Sequence, residues 1–167
     1  MKYHNKSSGF TLIELLVAMG LFLVVVILAS GTFIKALRLE KQAVDLMAMN
    51  DSASLALEQM AREIRTGTNF SSPNSDSLNF TNALAKLISY HFNAGLGIIE
   101  RSESGGIPES LTALNVAVAK LVFITSGLGN NDDLPARVTV ALSVASRAKN
   151  LQDIFTNLQT TISPRVF

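Results

Sequence analysis

The sequence predicts an α+β protein, with a long N-terminal helix, transmembrane in its first part and amphipathic in its second, packed on a C-terminal antiparallel β-sheet. Three observations carry that prediction. Leu15 to Ile34 is a run of 20 residues without a charge. From Ala36 to Ile64 the apolar residues narrow to one stripe, and no proline interrupts Phe10 to Arg65. Beyond Gly67, short β-rich runs alternate with turn residues.

At 167 residues, 48% hydrophobic and 16% charged, the chain has material for one domain plus an appended segment and is too apolar for a disordered tail. A net charge of +1 gives no nucleic-acid footprint. Cysteine is absent, which excludes disulfides, thiolate nucleophiles and Cys-ligated metals.

In a helix, the uncharged block spans roughly the ~30 Å hydrocarbon core of a bilayer at ~1.5 Å per residue. Its Val and Ile content would suit a strand, but strands of that length are far outside the usual range, and a helix satisfies every backbone group internally. A cleaved secretory signal is the natural rival. The apolar run is longer than a usual h-region, however, and Lys35-Ala36-Leu37-Arg38 follows it instead of a small-residue cleavage site. Glu14 stands out at the head of this block. A carboxylate costs ~2.5 kcal/mol or more at the centre of a bilayer, whereas at an interface near a helix start the macrodipole favours it.

The run Ser8-Gly9-Phe10-Thr11-Leu12-Ile13-Glu14-Leu15-Leu16-Val17-Ala18-Met19 resembles the class III signal sequence of type IV prepilins and pseudopilins. The resemblance implies a pilin-like fold, cleavage after Gly9 by a prepilin peptidase, and N-methylation of the new terminal residue, Phe10. It also implies an assembly role for Glu14, whose carboxylate would pair with the Phe10 amine of a neighbouring subunit. The expected organisation is a cleaved leader over 1–9, a transmembrane helix over 10–34, its amphipathic continuation over 35–66 and a soluble β-rich domain over 67–167. Removing Lys2 and Lys6 with the leader leaves 12 basic against 13 acidic residues. Lys2 and Lys6 on one side face Lys35, Arg38 and Lys41 on the other, so charge alone does not orient the helix. The resemblance does, placing the leader in the cytoplasm and the domain outside the inner membrane.

Beyond the membrane block, Ala36, Leu39, Ala43, Leu46, Asn50, Ala53, Leu57, Met60 and Ile64 recur three and four residues apart. With Thr66-Gly67 as a stop, one helix of about 56 residues from Phe10 to Arg65 is expected. The same spacing suits a coiled coil, but Asn50 and the alanines favour close packing on a sheet.

Candidate strands are Leu78 to Thr81, Leu87 to Asn93, Gly97 to Ser102, Val116 to Thr125, Arg137 to Ser146 and one near Gln159 to Ile162. Leu57-Glu58-Gln59-Met60-Ala61-Arg62-Glu63-Ile64-Arg65, Asn115 to Phe123 and Gln159 to Arg165 resemble the J-type minor pseudopilins of type II secretion. Gly31 occupies the mature twenty-second position, where many major pilins carry a proline, and the terminal Cys pair of many adhesive pilins is missing.

Little in the sequence suggests chemistry. His91 lies within a strand pattern. Asp132 and Asp133 sit in a Gly/Asn-rich loop whose oxygens could ligate calcium, but the spacing is not that of an EF-hand and such loops are usually turns. Glu100 and Glu103 read as a solvated hairpin face. Neither catalysis nor a cofactor or metal is expected. The resulting expectation is a minor pseudopilin of a type IV pilin-like filament in type II secretion. Its partners are the prepilin peptidase, other pilin or pseudopilin subunits and inner-membrane lipid, with no nucleic acid. The alternatives are a minor pilin of a surface or DNA-uptake pilus, or a membrane-tethered binding module or enzyme.

Overall fold

A computed structural model of the chain describes residues 9–127 and 135–165. It contains one helix, α1 (Leu12–Arg65), and eight strands. The strands are β1 (Thr68–Ser71), β2 (Ser77–Thr81), β3 (Leu87–Asn93), β4 (Ile98–Glu103), β5 (Glu109–Ser110), β6 (Val116–Ser126), β7 (Arg137–Ser146) and β8 (Phe155–Ile162). The contacts divide the chain into two units, Met1–Ala43 and Val44–Phe167.

The α+β class is as expected, but there are two antiparallel sheets where one was expected. Strands β1 to β5 form a five-stranded meander and β6 to β8 a three-stranded one, each in sequence order. Two strands escaped the sequence pattern. β1 has four residues and a register shift, and β5 has two, each too short to show an alternation.

Within the second unit, Met49, Ala53, Leu57, Met60 and Ile64 of α1 form one core with Leu78, Phe80, Ile88, Tyr90 and Ile99 of the first sheet. Val118, Leu121, Phe123, Val140, Leu142 and Val144 of the second sheet complete it. The buried helix face departs from the expected stripe. Asn50 is exposed and Met49 fills its slot, while Ala36, Leu39 and Ala43 are exposed. Counting back from Ala53, the three-four rhythm accepts 49 as readily as 50, and the apolar side chain takes the buried position.

β6 explains an irregularity in its own sequence. Val116 and Val118 point inward at even positions, Leu121 and Phe123 at odd ones. The pairing skips from Val118↔Val144 to Lys120↔Ser143, so Ala119 is the extra residue of a bulge that restores the inward phase.

The sheets meet where the β3–β4 turn reaches β6. Gly97, at φ +62°, accepts a hydrogen bond from the Val118 N–H at 2.9 Å. The Arg147 guanidinium donates to the carbonyls of Val116 at 2.9 Å and Leu96 at 2.6 Å. At the helix exit, the Arg165 N–H caps the Arg65 carbonyl at 3.0 Å. Gly67 is needed there for space, since a Cβ would lie 2.5 Å from Cδ2 of the fully buried Phe80. Gly67→Ala is therefore expected to destabilise the second unit by about 1–3 kcal/mol, read from the denaturant midpoint at constant m-value. An unchanged midpoint would contradict this packing.

Candidate processing and assembly site

Helix α1 begins two residues later than the expected Phe10, for a reason visible at its first turn. The Thr11 carbonyl accepts the first helical bond from the Leu15 N–H at 3.2 Å, which makes Thr11 the N-cap. Its Oγ1 accepts from the Glu14 N–H at 3.3 Å, while Glu14 Oε2 accepts from the Thr11 N–H and hydroxyl, both at 2.9 Å. Thr11-Leu12-Ile13-Glu14 is thus a reciprocal capping box. The signal for it, Thr followed three residues later by Glu, is legible in the sequence.

Around this box the surface is apolar and uncovered. Phe10 is 89% exposed and Leu12 83%. A Cβ at Gly9 would meet nothing within 4 Å among the described residues, so none of them requires glycine there. Further along the uncharged block, the hydroxyls of Ser30 and Thr32 donate back to helix carbonyls, Ser30 to Val26 at 2.8 Å and Thr32 to Ala29 at 2.8 Å. These side chains therefore expose no unsatisfied donor to an apolar medium. By length and composition α1 is able to cross a membrane, and its most apolar window is not buried by the rest of the protein.

A second polar constellation, which sequence reading missed, lies at the other end of α1. Glu63 accepts from the Tyr90 hydroxyl at 2.9 Å and from Arg101 Nε at 3.2 Å to each carboxylate oxygen. Arg101 Nη2 reaches Glu103 at 3.3 Å, and Glu103 also pairs with Lys86. Glu103, expected on a solvated hairpin face, is ion-paired there. Lys86 first, then Arg101, holds its carboxyl below the usual range. Burial works against the Arg101 charge, but the bonds to Glu63 prevail and raise its pKa. Glu100 accepts from Asn93 Nδ2 at 2.9 Å.

Tyr90 is pushed above its ordinary pKa, first by burial and then by the Glu63 carboxylate. An unfolded tyrosine ionises near pH ~10, so the folded state, which keeps the proton longer, is favoured below that pH and loses stability as pH rises above it. Tyr90→Phe should flatten this alkaline loss in urea titrations between pH 9 and 11.5 while lowering stability at neutral pH. An unchanged alkaline slope would argue against the assignment.

These bonds tie the end of α1 to the first sheet. His91 is exposed on β3, paired in register with Ser77 and Glu100. No group of three or more His, Cys, Asp or Glu able to hold a metal occurs among the described residues. Asp132 and Asp133, the calcium candidates, lie outside the described residues.

Residues 4–30 match the family model of the prokaryotic N-terminal methylation motif. No curated protein and no solved structure matches the chain. The matched stretch contains Gly9, Phe10, the capping box and most of the uncharged block. An N-terminal methylation motif at the head of a long apolar helix, followed in the chain by antiparallel sheets, fits a prepilin-like protein.

Proposed function

We propose that the chain is a minor pseudopilin of a type IV pilin-like filament serving type II secretion. It is cut between Gly9 and Phe10, N-methylated at Phe10, held in the inner membrane by residues 10–34 with its β domain outside the cytoplasm, and assembled through Glu14. The observation that carries this reading is the methylation motif at the head of an exposed, membrane-length apolar helix. The role is structural, with the prepilin peptidase, other pilin-like subunits and membrane lipid as partners and no nucleic acid. The minor-subunit and secretion assignment draws on the J-type runs, on Gly31 in place of a proline and on the absence of cysteine.

The uncrowded setting of Gly9 sharpens the test. Because a larger residue meets no obstacle among the described residues, an effect of Gly9→Val on processing reports on the peptidase's own fit. Intact mass spectrometry after co-expression with a prepilin peptidase should show a chain beginning at N-methyl-Phe10, and Gly9→Val should leave the leader attached. A chain that keeps its leader in the wild type, or one cut equally well with Gly9→Val, would sink the proposal.

A further inference from the structure

Among the described residues, the sheet edges are closed in different ways, except one. β1 is four residues long and carries a register shift. β5 has only two residues, one of them Glu109. The outer edge of β6 is occupied by the Val118 bond to Gly97, by the Phe123 bond to the Ser75 carbonyl at 2.7 Å and by the Arg147 guanidinium on Val116. Short strands, bulges, charges and covering groups are the recognised means of preventing edge-to-edge pairing.

β8 uses none of them. Among the described residues it pairs with β7 alone, at the end of its sheet. Its sequence, Phe-Thr-Asn-Leu-Gln-Thr-Thr-Ile, is eight residues without a charge, proline or glycine and keeps an unbroken register along its length. Every second residue of an antiparallel edge strand turns its N–H and C=O away from its partner. Ile154 and Phe155, 45% and 54% exposed, add apolar surface at its start.

From this edge we infer that β8 pairs with β8 of a second copy of this chain, antiparallel about a two-fold axis at Leu158. The strand's faces permit that register. Phe155, Asn157, Gln159 and Thr161 are exposed on the outer face, while Thr156, Leu158, Thr160 and Ile162 turn toward the core. A two-fold axis normal to the sheet keeps outer with outer and inner with inner. Centred on Leu158, it places Leu158 opposite itself, Thr156 opposite Thr160, Asn157 opposite Gln159 and Phe155 opposite Thr161. Leu158 meets leucine, threonine meets threonine and amide meets amide, with Phe155 against Thr161 the one mixed pair, and no charge meets its own copy. Threonine pairs already occur within the sheet, where the hydroxyls of Thr139 and Thr161 lie 2.9 Å apart. The result is a continuous six-stranded sheet with no free β8 edge. A self-pairing contact about a two-fold axis closes on two copies, so it describes a dimer and not the filament contact. It goes beyond the proposed function and does not depend on cleavage at Gly9.

The absence of cysteine makes the test clean. Single cysteines are placed at Thr156, Asn157, Leu158, Gln159 and Thr160 of the full-length chain, which is oxidised in its membrane. Directly opposed residues lie within disulfide reach, whereas Asn157 and Gln159 are displaced diagonally from their own copies. A disulfide dimer of two such chains should therefore peak several-fold at Leu158→Cys over its neighbours. Equal yields along the strand, a peak elsewhere, or a cross-link to a different polypeptide would overturn the pairing. In case Leu158→Cys perturbs the fold, Asn157→Lys with Gln159→Lys places like charges opposite one another on the exposed face. Sedimentation of that variant in detergent should show loss of dimer relative to wild type, and an unchanged dimer would equally overturn the inference.

Discussion

Glu63→Ala is expected to lower the unfolding free energy of the second unit by about 1.5–3 kcal/mol, one of the two largest effects anticipated here. The carboxylate is the one acceptor shared by Tyr90 and Arg101 across the helix–sheet junction. Side-chain exposure is 23% for Glu63 and 18% for Arg101, so removing the acid leaves a buried hydroxyl without its partner and a half-desolvated guanidinium held by Glu103 alone. Glu58 and Arg62, one turn earlier, form an ion pair at the same 3.2 Å but are 65% and 79% exposed. Glu58→Ala should therefore cost no more than about 0.5 kcal/mol. Urea unfolding of the two variants checks the contrast, and equal losses would mean that burial does not distinguish the pairs. The double variant Glu63→Leu with Arg101→Met should recover part of the loss, because apolar groups of similar size leave no buried charge unpaired.

That network shows which parts of the structure the sequence could reveal. Periodicity located the strands long enough to display it, so β3 and β7 fall at Leu87–Asn93 and Arg137–Ser146 as expected. It also located the end of α1, where Thr66-Gly67 stops the helix. Long-range pairing is not encoded that way. Glu63 and Arg101 are 38 positions apart and each resembles an ordinary surface charge, so only the fold brings them together. The division into two sheets was hidden for a similar reason, since consecutive hairpins look alike whether or not one sheet ends at β5 and another starts at β6. β8 was expected only near Gln159 to Ile162, because its first half, Phe155-Thr156-Asn157-Leu158, sets two polar residues side by side and so lacks the alternation that marks a strand. At the other terminus the acid was recognised from its cost in lipid. Its local partner Thr11, three residues away, was readable from the same dozen residues.

The capping box makes Glu14 a residue with two separable tasks, and substitution there should have the largest effect on assembly. In the lone chain the carboxylate closes the first turn of α1 against Thr11. In the proposed filament it neutralises the Phe10 amine of a neighbour, so that neither charge is carried unpaired among the packed apolar helices. Glu14→Ala removes both tasks. It should leave cleavage at Gly9 intact and reduce co-purification with partner subunits at least tenfold, the ratio that follows from losing more than about 1.4 kcal/mol of association. Glu14→Gln separates the two, because a glutamine side chain still completes a capping box but carries no charge. If pairing with the amine governs assembly, Gln should fail as Ala does, whereas Thr11→Val, which removes only the hydroxyl's part in the cap, should assemble close to wild type. If Glu14→Gln instead assembles normally while Thr11→Val does not, Glu14 serves the helix start alone and the charge-pairing role is wrong. Processing measured by mass spectrometry in the same membranes separates either result from a failure of cleavage.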